Sequence, residues 1–170
     1  MAVPWTRAGD DMIQWKRLLL LTAVLASIGC GTTLIGSDIE RRADEWTIVL
    51  QYLRDGPNQI RPMGYTVYEP PSGSRFIHAY LKVRNDSRQT REFGYDSCDL
   101  DLGGEGVVAG LITRYNGVMS EMDKKEIYPP GDVNYRNLTF TYPEGRLPTR
   151  LKCGNVTFDV PQPAAVAAGH

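Results

Sequence analysis

FIHAYLKVRN, residues 76–85, is the stretch whose reading decides the fold. Ile77, Ala79, Leu81 and Val83 alternate with Phe76, His78, Tyr80 and Lys82. Successive side chains of a strand point to opposite faces, so this period of two predicts a β-strand with one wholly apolar face. Asn85-Asp86-Ser87 then supplies turn-forming residues. A strand of this kind has to bury its apolar face against a second layer, so its neighbours decide the architecture.

Those neighbours repeat the pattern. Trp46, Ile48, Leu50 and Tyr52 alternate with Thr47, Val49 and Gln51, a first strand that Asp55-Gly56-Pro57-Asn58 ends. Tyr65 to Glu69 reads as a short strand stopped by Pro70-Pro71-Ser72-Gly73. Arg91 to Leu102 changes parity midway, from Phe93 and Tyr95 to Cys98, Leu100 and Leu102, which predicts a bulge near Asp96-Ser97. Val107 to Tyr115 and Val118 to Met122 flank Asn116-Gly117, a strong hairpin signal. Val133 to Tyr142 again shifts parity after Tyr135, and Thr149 to Val160 reads as a last hairpin bent at Gly154. About eight or nine short strands with frequent turns, and no long helical pattern after residue 46, predict an all-β antiparallel sandwich spanning 46–161. The alanine-rich segment 162–170 has no apolar face to pack.

The chain ahead of the sandwich differs in kind. Lys16 and Arg17 precede an uncharged run from Leu18 to Gly29 that closes on Cys30, the layout of a secretory signal over residues 1–30. Residues 1–11 fit no signal type, and Met12 is the more natural first residue. Three readings are open. In one, Cys30 is acylated and holds the protein on the outer face of a membrane; Gly29-Cys30 resembles the cleavage box of bacterial lipoproteins, with Ser27 where that box usually has Leu. In another, residues 18–36 form an uncleaved spanning helix. In the third, the chain is secreted with Cys30 as an ordinary thiol. Residues 31–45 read as a tether, in which Ser37 and Glu40 have capping-box spacing for a short polar helix.

Cysteine number bears on the choice. There are three, Cys30, Cys98 and Cys153, and an odd count in an exported chain fits one lipidated cysteine plus one disulfide. Cys98 and Cys153 each sit among apolar neighbours, as the halves of a bridge in the core would; two buried free thiols are the alternative. Closing a loop of about 55 residues contributes roughly 4 kcal/mol in the chain-entropy treatment. With residues 1–29 removed, 16 basic and 18 acidic side chains remain, which offers no field for nucleic acid. No CxxC pair occurs and the chain has two histidines, so no metal is expected and no cofactor is implied.

Two segments carry a resemblance. FIHAYLKVRN at 76–85 and IYPPGDVNYRNLTFTYP at 127–143 resemble the large apolar run ending in Asn, and the Pro-Gly turn before a Leu-x-Phe strand and terminal Pro, of a widespread immunoglobulin-like domain of unknown function in bacterial exported lipoproteins. The resemblance implies an immunoglobulin-like β-sandwich, preceded by the signal or anchor segment and placed in the cell envelope. It implies no catalytic residues.

Site chemistry is sparse. His78 reads as a surface or rim residue without a placed partner. Gly94 to Cys98 lacks the second Gly of a nucleophile elbow; Asp96, Asp99 and Asp101 could supply oxygens to calcium, and Asp99 and Asp101 share a strand face, but they have no calcium-loop spacing. Asn85, Asn137 and Asn155 each open an Asn-x-Ser/Thr triplet, which matters only in a glycosylating host. Tyr80, Tyr115, Tyr128 and Tyr135 fall on outward or loop positions and are the candidate contacts for an envelope protein or a glycan. The 107–126 hairpin is the longest excursion and the expected contact surface. The expected function is a membrane-tethered, non-enzymatic binding or assembly module. Alternatives are a structural or stress-related envelope lipoprotein without a dedicated ligand, and a hydrolase, for which no nucleophile, base and orienting group stand together in the sequence.

Overall fold

A computed structural model describes residues 31–56, 59–61, 67–114 and 124–162. The leader, Cys30, Tyr115, the Asn116-Gly117 turn, Tyr65 and Thr66 of the strand expected at Tyr65 to Glu69, and most of the tail lie outside the described residues; of that strand Val67 to Glu69 are described, and Tyr68 makes an isolated antiparallel bridge to Ile60. Eleven strands form among the residues that are described. They are β1 (Thr33–Ile35), β2 (Ile39–Ala43), β3 (Trp46–Asp55), β4 (Ser74–Asn85), β5 (Arg91–Gly94), β6 (Cys98–Asp101), β7 (Gly106–Arg114), β8 (Lys125–Tyr128), β9 (Val133–Pro143), β10 (Arg150–Cys153) and β11 (Val156–Asp159). The named strand pairings are antiparallel throughout. Among the described residues, no helix is long and apolar enough to cross a membrane.

The strands make a β-sandwich in which one sheet folds over on itself. The first layer runs β3-β4-β9-β7, with β1 and β2 placed end to end along the free edge of β3. The second layer runs β7-β6-β10-β11. Strand β7 serves both. Val107 and Val108 pair with Leu100 and Asp99 of β6, whereas Leu111 to Arg114 pair with Thr139 to Arg136 of β9. The register slips between Ala109 and Leu111, so Gly110 is the extra residue of a bulge that lets the strand turn from one layer to the other. The far edges meet again where β11 lies against β2, and Asn155 Nδ2 donates to Asp44 Oδ2 at 2.6 Å between the two hairpin tips.

The core lies between the layers. Ile48, Leu50, Ile77, Leu81, Leu138 and Phe140 come from the first, and Leu100, Leu151 and Phe158 from the second. Burying each such side chain contributes about 2 kcal/mol before entropy is counted. The short β5–β8 sheet closes one end, and Trp46 meets Phe93 and Tyr128 edge-on at 5.0 and 5.4 Å.

Several expectations are corrected. Ser37 to Glu45 is not helical: Ile39 to Ala43 pairs with Leu50 to Trp46, because edge pairing outweighs a weak local helix preference. The sheet therefore starts at Thr33 rather than 46, and 31–45 is not a tether. Ile35, 4 % exposed, belongs to the core. The parity change after Phe93 is a 3₁₀ turn, Tyr95–Ser97, which carries the chain from the small sheet into the second layer. Strand β9 has no shift: its register with β4 runs unbroken from Val133 to Pro143. A bulge sits instead at Gln51, which turns Tyr52 away from the core.

Asn85 explains why the apolar run ends in that residue. Its side chain is fully buried and donates to the carbonyls of Gln89 and Tyr128 at 2.8 Å and of Pro129 at 3.2 Å, while its Oδ1 accepts from Ser87 N–H. Its own carbonyl accepts from Gly131 N–H, where φ of +75° sits in the second central position of a turn opened by Pro130. The two segments that carried the resemblance are thus stitched together by one side chain. Asn85→Ala removes the side-chain donor to the buried Tyr128 carbonyl and the acceptor of the Ser87 N–H, while Gln89 O keeps the Ser87 hydroxyl and Pro129 O keeps the Asp132 N–H; it is expected to lower stability by about 2 kcal/mol, read from urea denaturation midpoints. Asn85→Asp should cost no less, since it aims a carboxylate at carbonyl oxygens.

Candidate functional site

The first layer presents an outer face built by the even residues of β4. Tyr52 and Tyr80, directly paired across β3 and β4, stack with ring centroids 4.9 Å apart and planes 3° from parallel. The Arg54 guanidinium lies 5.9 Å from the Tyr52 ring centroid. Lys82 pairs with Tyr135 of β9, and both are half-buried. An aromatic stripe edged by cations results, the kind of rigid amphipathic surface that binds at low entropic cost.

Further along that face, Phe76 and His78 are buried, which corrects the expectation of a surface histidine. His78 Nδ1 lies 2.9 Å from Thr139 Oγ1, and Nε2 has no hydrogen-bond partner among the described residues. Gly56 explains the close cover: a Cβ there would lie 2.1 Å from Nε2. Burial, and then the Arg54 charge, push the imidazole pKa down to about 4. His78 is therefore neutral at pH 7. Ser97 lies in the 3₁₀ turn that leads into the second layer and donates its hydroxyl to Gly94 O at 2.6 Å.

On the inner face the same strands bury a charge pair that the sequence reading missed. Arg136 takes a core position opposite Leu81 and bonds Glu126, with side chains 4 % and 9 % exposed. The guanidinium also lies 5.5 Å from the Tyr95 ring centroid, and the Tyr95 and Tyr128 hydroxyls bond each other. Burial, and then the neighbouring Tyr95 and Glu126, push the Tyr128 phenol above its ordinary range. A charged residue in a strand reads as outward. Only the arrival of Glu126 from β8, ten residues back in sequence, permits Arg136 to face in.

The candidate residues thus separate. Tyr128, 0 % exposed, is a core residue and is withdrawn as a contact, and Tyr80 is buried beneath its stack with Tyr52. Tyr135 remains accessible, and Tyr52 joins it because of the bulge at Gln51. Tyr115 and Cys30 lie outside the described residues. Cys98 and Cys153 do form a disulfide, but as direct partners on adjacent strands β6 and β10, Cα atoms 4.0 Å apart. The bridge ties two strands of one layer and does not join the layers. Asp101, one of the acids weighed for calcium, already accepts from Arg150 at 2.8 Å and from the N–H groups of Gly103 and Gly104. Those N–H groups, with Arg150, hold its carboxyl below the usual carboxylate range.

No protein-family model and no curated protein matches the chain. Among solved structures it is similar to a conserved hypothetical protein from Bacillus anthracis, with TM-score 0.60 and 10% identity over 79% of this chain and 100% of that one. It is also aligned with an uncharacterized beta-sandwich protein from Clostridium difficile 630, TM-score 0.46, 14% identity, 69% of this chain and 81% of that one. A functionally unknown protein from Listeria monocytogenes EGD-e gives TM-score 0.47 and 16% identity over 69% of this chain and 68% of that one. The first likeness shows the fold alone.

Two predictions follow from the buried groups. Arg136→Met removes the cation that neutralises the buried Glu126 carboxylate and should cost about 3–5 kcal/mol in denaturant unfolding, whereas adding Glu126→Gln should recover a large part of it. For His78, the unfolded chain takes a proton near pH 6.5 and the folded chain only near 4. Stability is therefore fully present above pH 6.5 and falls as pH drops towards 4, by at most about 3 kcal/mol. Urea midpoints at pH 7 and 4 should show this loss for the wild type and a smaller one for His78→Gln.

Proposed function

We propose that the chain is a membrane-tethered, non-enzymatic binding or assembly module of the bacterial cell envelope, an immunoglobulin-like sandwich behind a signal segment, anchored by a lipid on Cys30. The observation that carries this reading is the Cys98–Cys153 pairing, which leaves Cys30 as the odd cysteine of three. Disulfides persist in oxidising compartments, which supports export. The claim of β1 on Thr33–Ile35 favours acylation over a spanning helix: Leu18 to Thr32 is about 15 residues, short of the roughly 20 that a bilayer needs. The contact surface in this reading is the outer face of the first layer, where Tyr52 and Tyr135 offer aromatic area beside Arg54 and Lys82. A partner protein or a glycan, rather than nucleic acid, suits that chemistry.

Purification from envelope extract tests both halves. Intact mass is expected to give a diacyl or triacyl adduct on a chain beginning at Cys30, with a stoichiometric partner that is lost from the Tyr52→Ala/Tyr135→Ala variant. An unmodified Cys30 overturns the anchor, and an unchanged partner yield from the variant overturns the contact surface.

A further inference from the structure

We infer that the end of the sandwich carrying the start of β1 and the turn after β9 rests on the lipid bilayer surface. This deepens the anchoring reading above and rests on it. Thr32 is already part of the fold, since its carbonyl accepts from Asp55 N–H at 2.9 Å, and Thr33 pairs with Arg54. Only Gly31 and Thr32 separate Cys30 from β1, and two residues of extended chain reach about 7 Å. A lipid on Cys30 therefore holds this end of the domain at the headgroups, with no spacer to let the domain turn over.

The residues at that end suit the location. β3 finishes there at Asp55, β4 begins opposite Pro143, and the chain turns through Gly145. A depression of about 250 Å³ is lined by Leu34, Arg75, Tyr142, Arg146 and Leu147 among others. Leu147 is 43% exposed, one of three large apolar side chains so exposed among the described residues. The two arginines arrive neutralised, Arg75 by Asp55 and Arg146 by Glu105, each at 2.6 Å. Such a surface fits the interfacial zone of a bilayer, which accepts apolar side chains and arginine stems while leaving the charged groups wet. It is not a polyanion site. The opposite end carries the Ser87–Thr90 turn and the Pro129-Pro130-Gly131 turn that Asn85 ties together.

The test places a thiol-reactive dye at Leu147→Cys or, at the opposite end, at Arg88→Cys; both positions are exposed. The acylated protein is reconstituted from membrane extract into vesicles of phosphatidylethanolamine and phosphatidylglycerol that carry a nickel-chelating lipid. Quenching by headgroup nickel is expected to be several-fold stronger at 147 than at 88. Equal quenching at the two positions, or stronger quenching at 88, overturns the inference. Intact mass of the same samples separates the two failures: an acylated Cys30 with equal quenching refutes the docking alone, and an unmodified Cys30 refutes the anchor and this inference with it.

Discussion

Strand β7 belongs to both layers, and the rest of the architecture depends on that sharing. Its first residues hydrogen-bond β6 and its last residues β9, with Gly110 as the extra residue between. A straight strand would continue one flat sheet and leave the apolar faces of β4 and β10 in water. The bulge bends the sheet so that those faces meet. Once folded, the far edges come together as β11 against β2, which covers backbone groups that an open edge would expose. The disulfide reinforces one step of this circuit, the β6–β10 pair, by closing the 55-residue separation between its cysteines.

The polar groups inside the sandwich specify how the remaining pieces dock. Asn85 fixes the Pro-Pro-Gly turn against the end of β4, and the buried Arg136–Glu126 pair ties β9 to β8. Neither adds much net stability, because desolvation offsets most of the gain. Their effect is that alternative dockings leave buried donors and acceptors unpartnered. Trp46 and the Phe93–Tyr95 edge contact, with rings 5.0 Å apart, complete that end with apolar packing.

Legibility in the sequence followed period and turn chemistry. Residues 76–85 alternate without exception, and in the structure Ile77, Ala79, Leu81 and Val83 all face the core. The all-β antiparallel sandwich was readable on the same grounds, whereas the Cys98–Cys153 pairing came from the odd cysteine count, with two free thiols as the alternative. Three things were not legible. Bulges hide in a period of two, so Gln51 moved Tyr52 to the outer face unannounced. A buried charge looks like a surface charge until its partner is placed, so Arg136 mimicked a parity shift in β9. Short polar strands such as β2 carry no apolar signal of their own and exist because β3 offers an edge. The candidate contact face suffered accordingly: Tyr135 stayed, Tyr128 went into the core, and Tyr52 was gained.

The proposed function draws on the same geometry, since a sheet that begins at Thr33 leaves only Gly31 and Thr32 between the fold and the proposed anchor at Cys30. The measurement that bears most directly on the fold beneath it is the pattern of cross-strand backbone NOEs from β7 in the oxidised, purified protein. The account predicts contacts from Val107 and Val108 to Leu100 and Asp99, together with contacts from Leu111 and Thr113 to Thr139 and Asn137, in a single species. Contacts from the whole of β7 to one partner strand alone, with the other set missing, would contradict it.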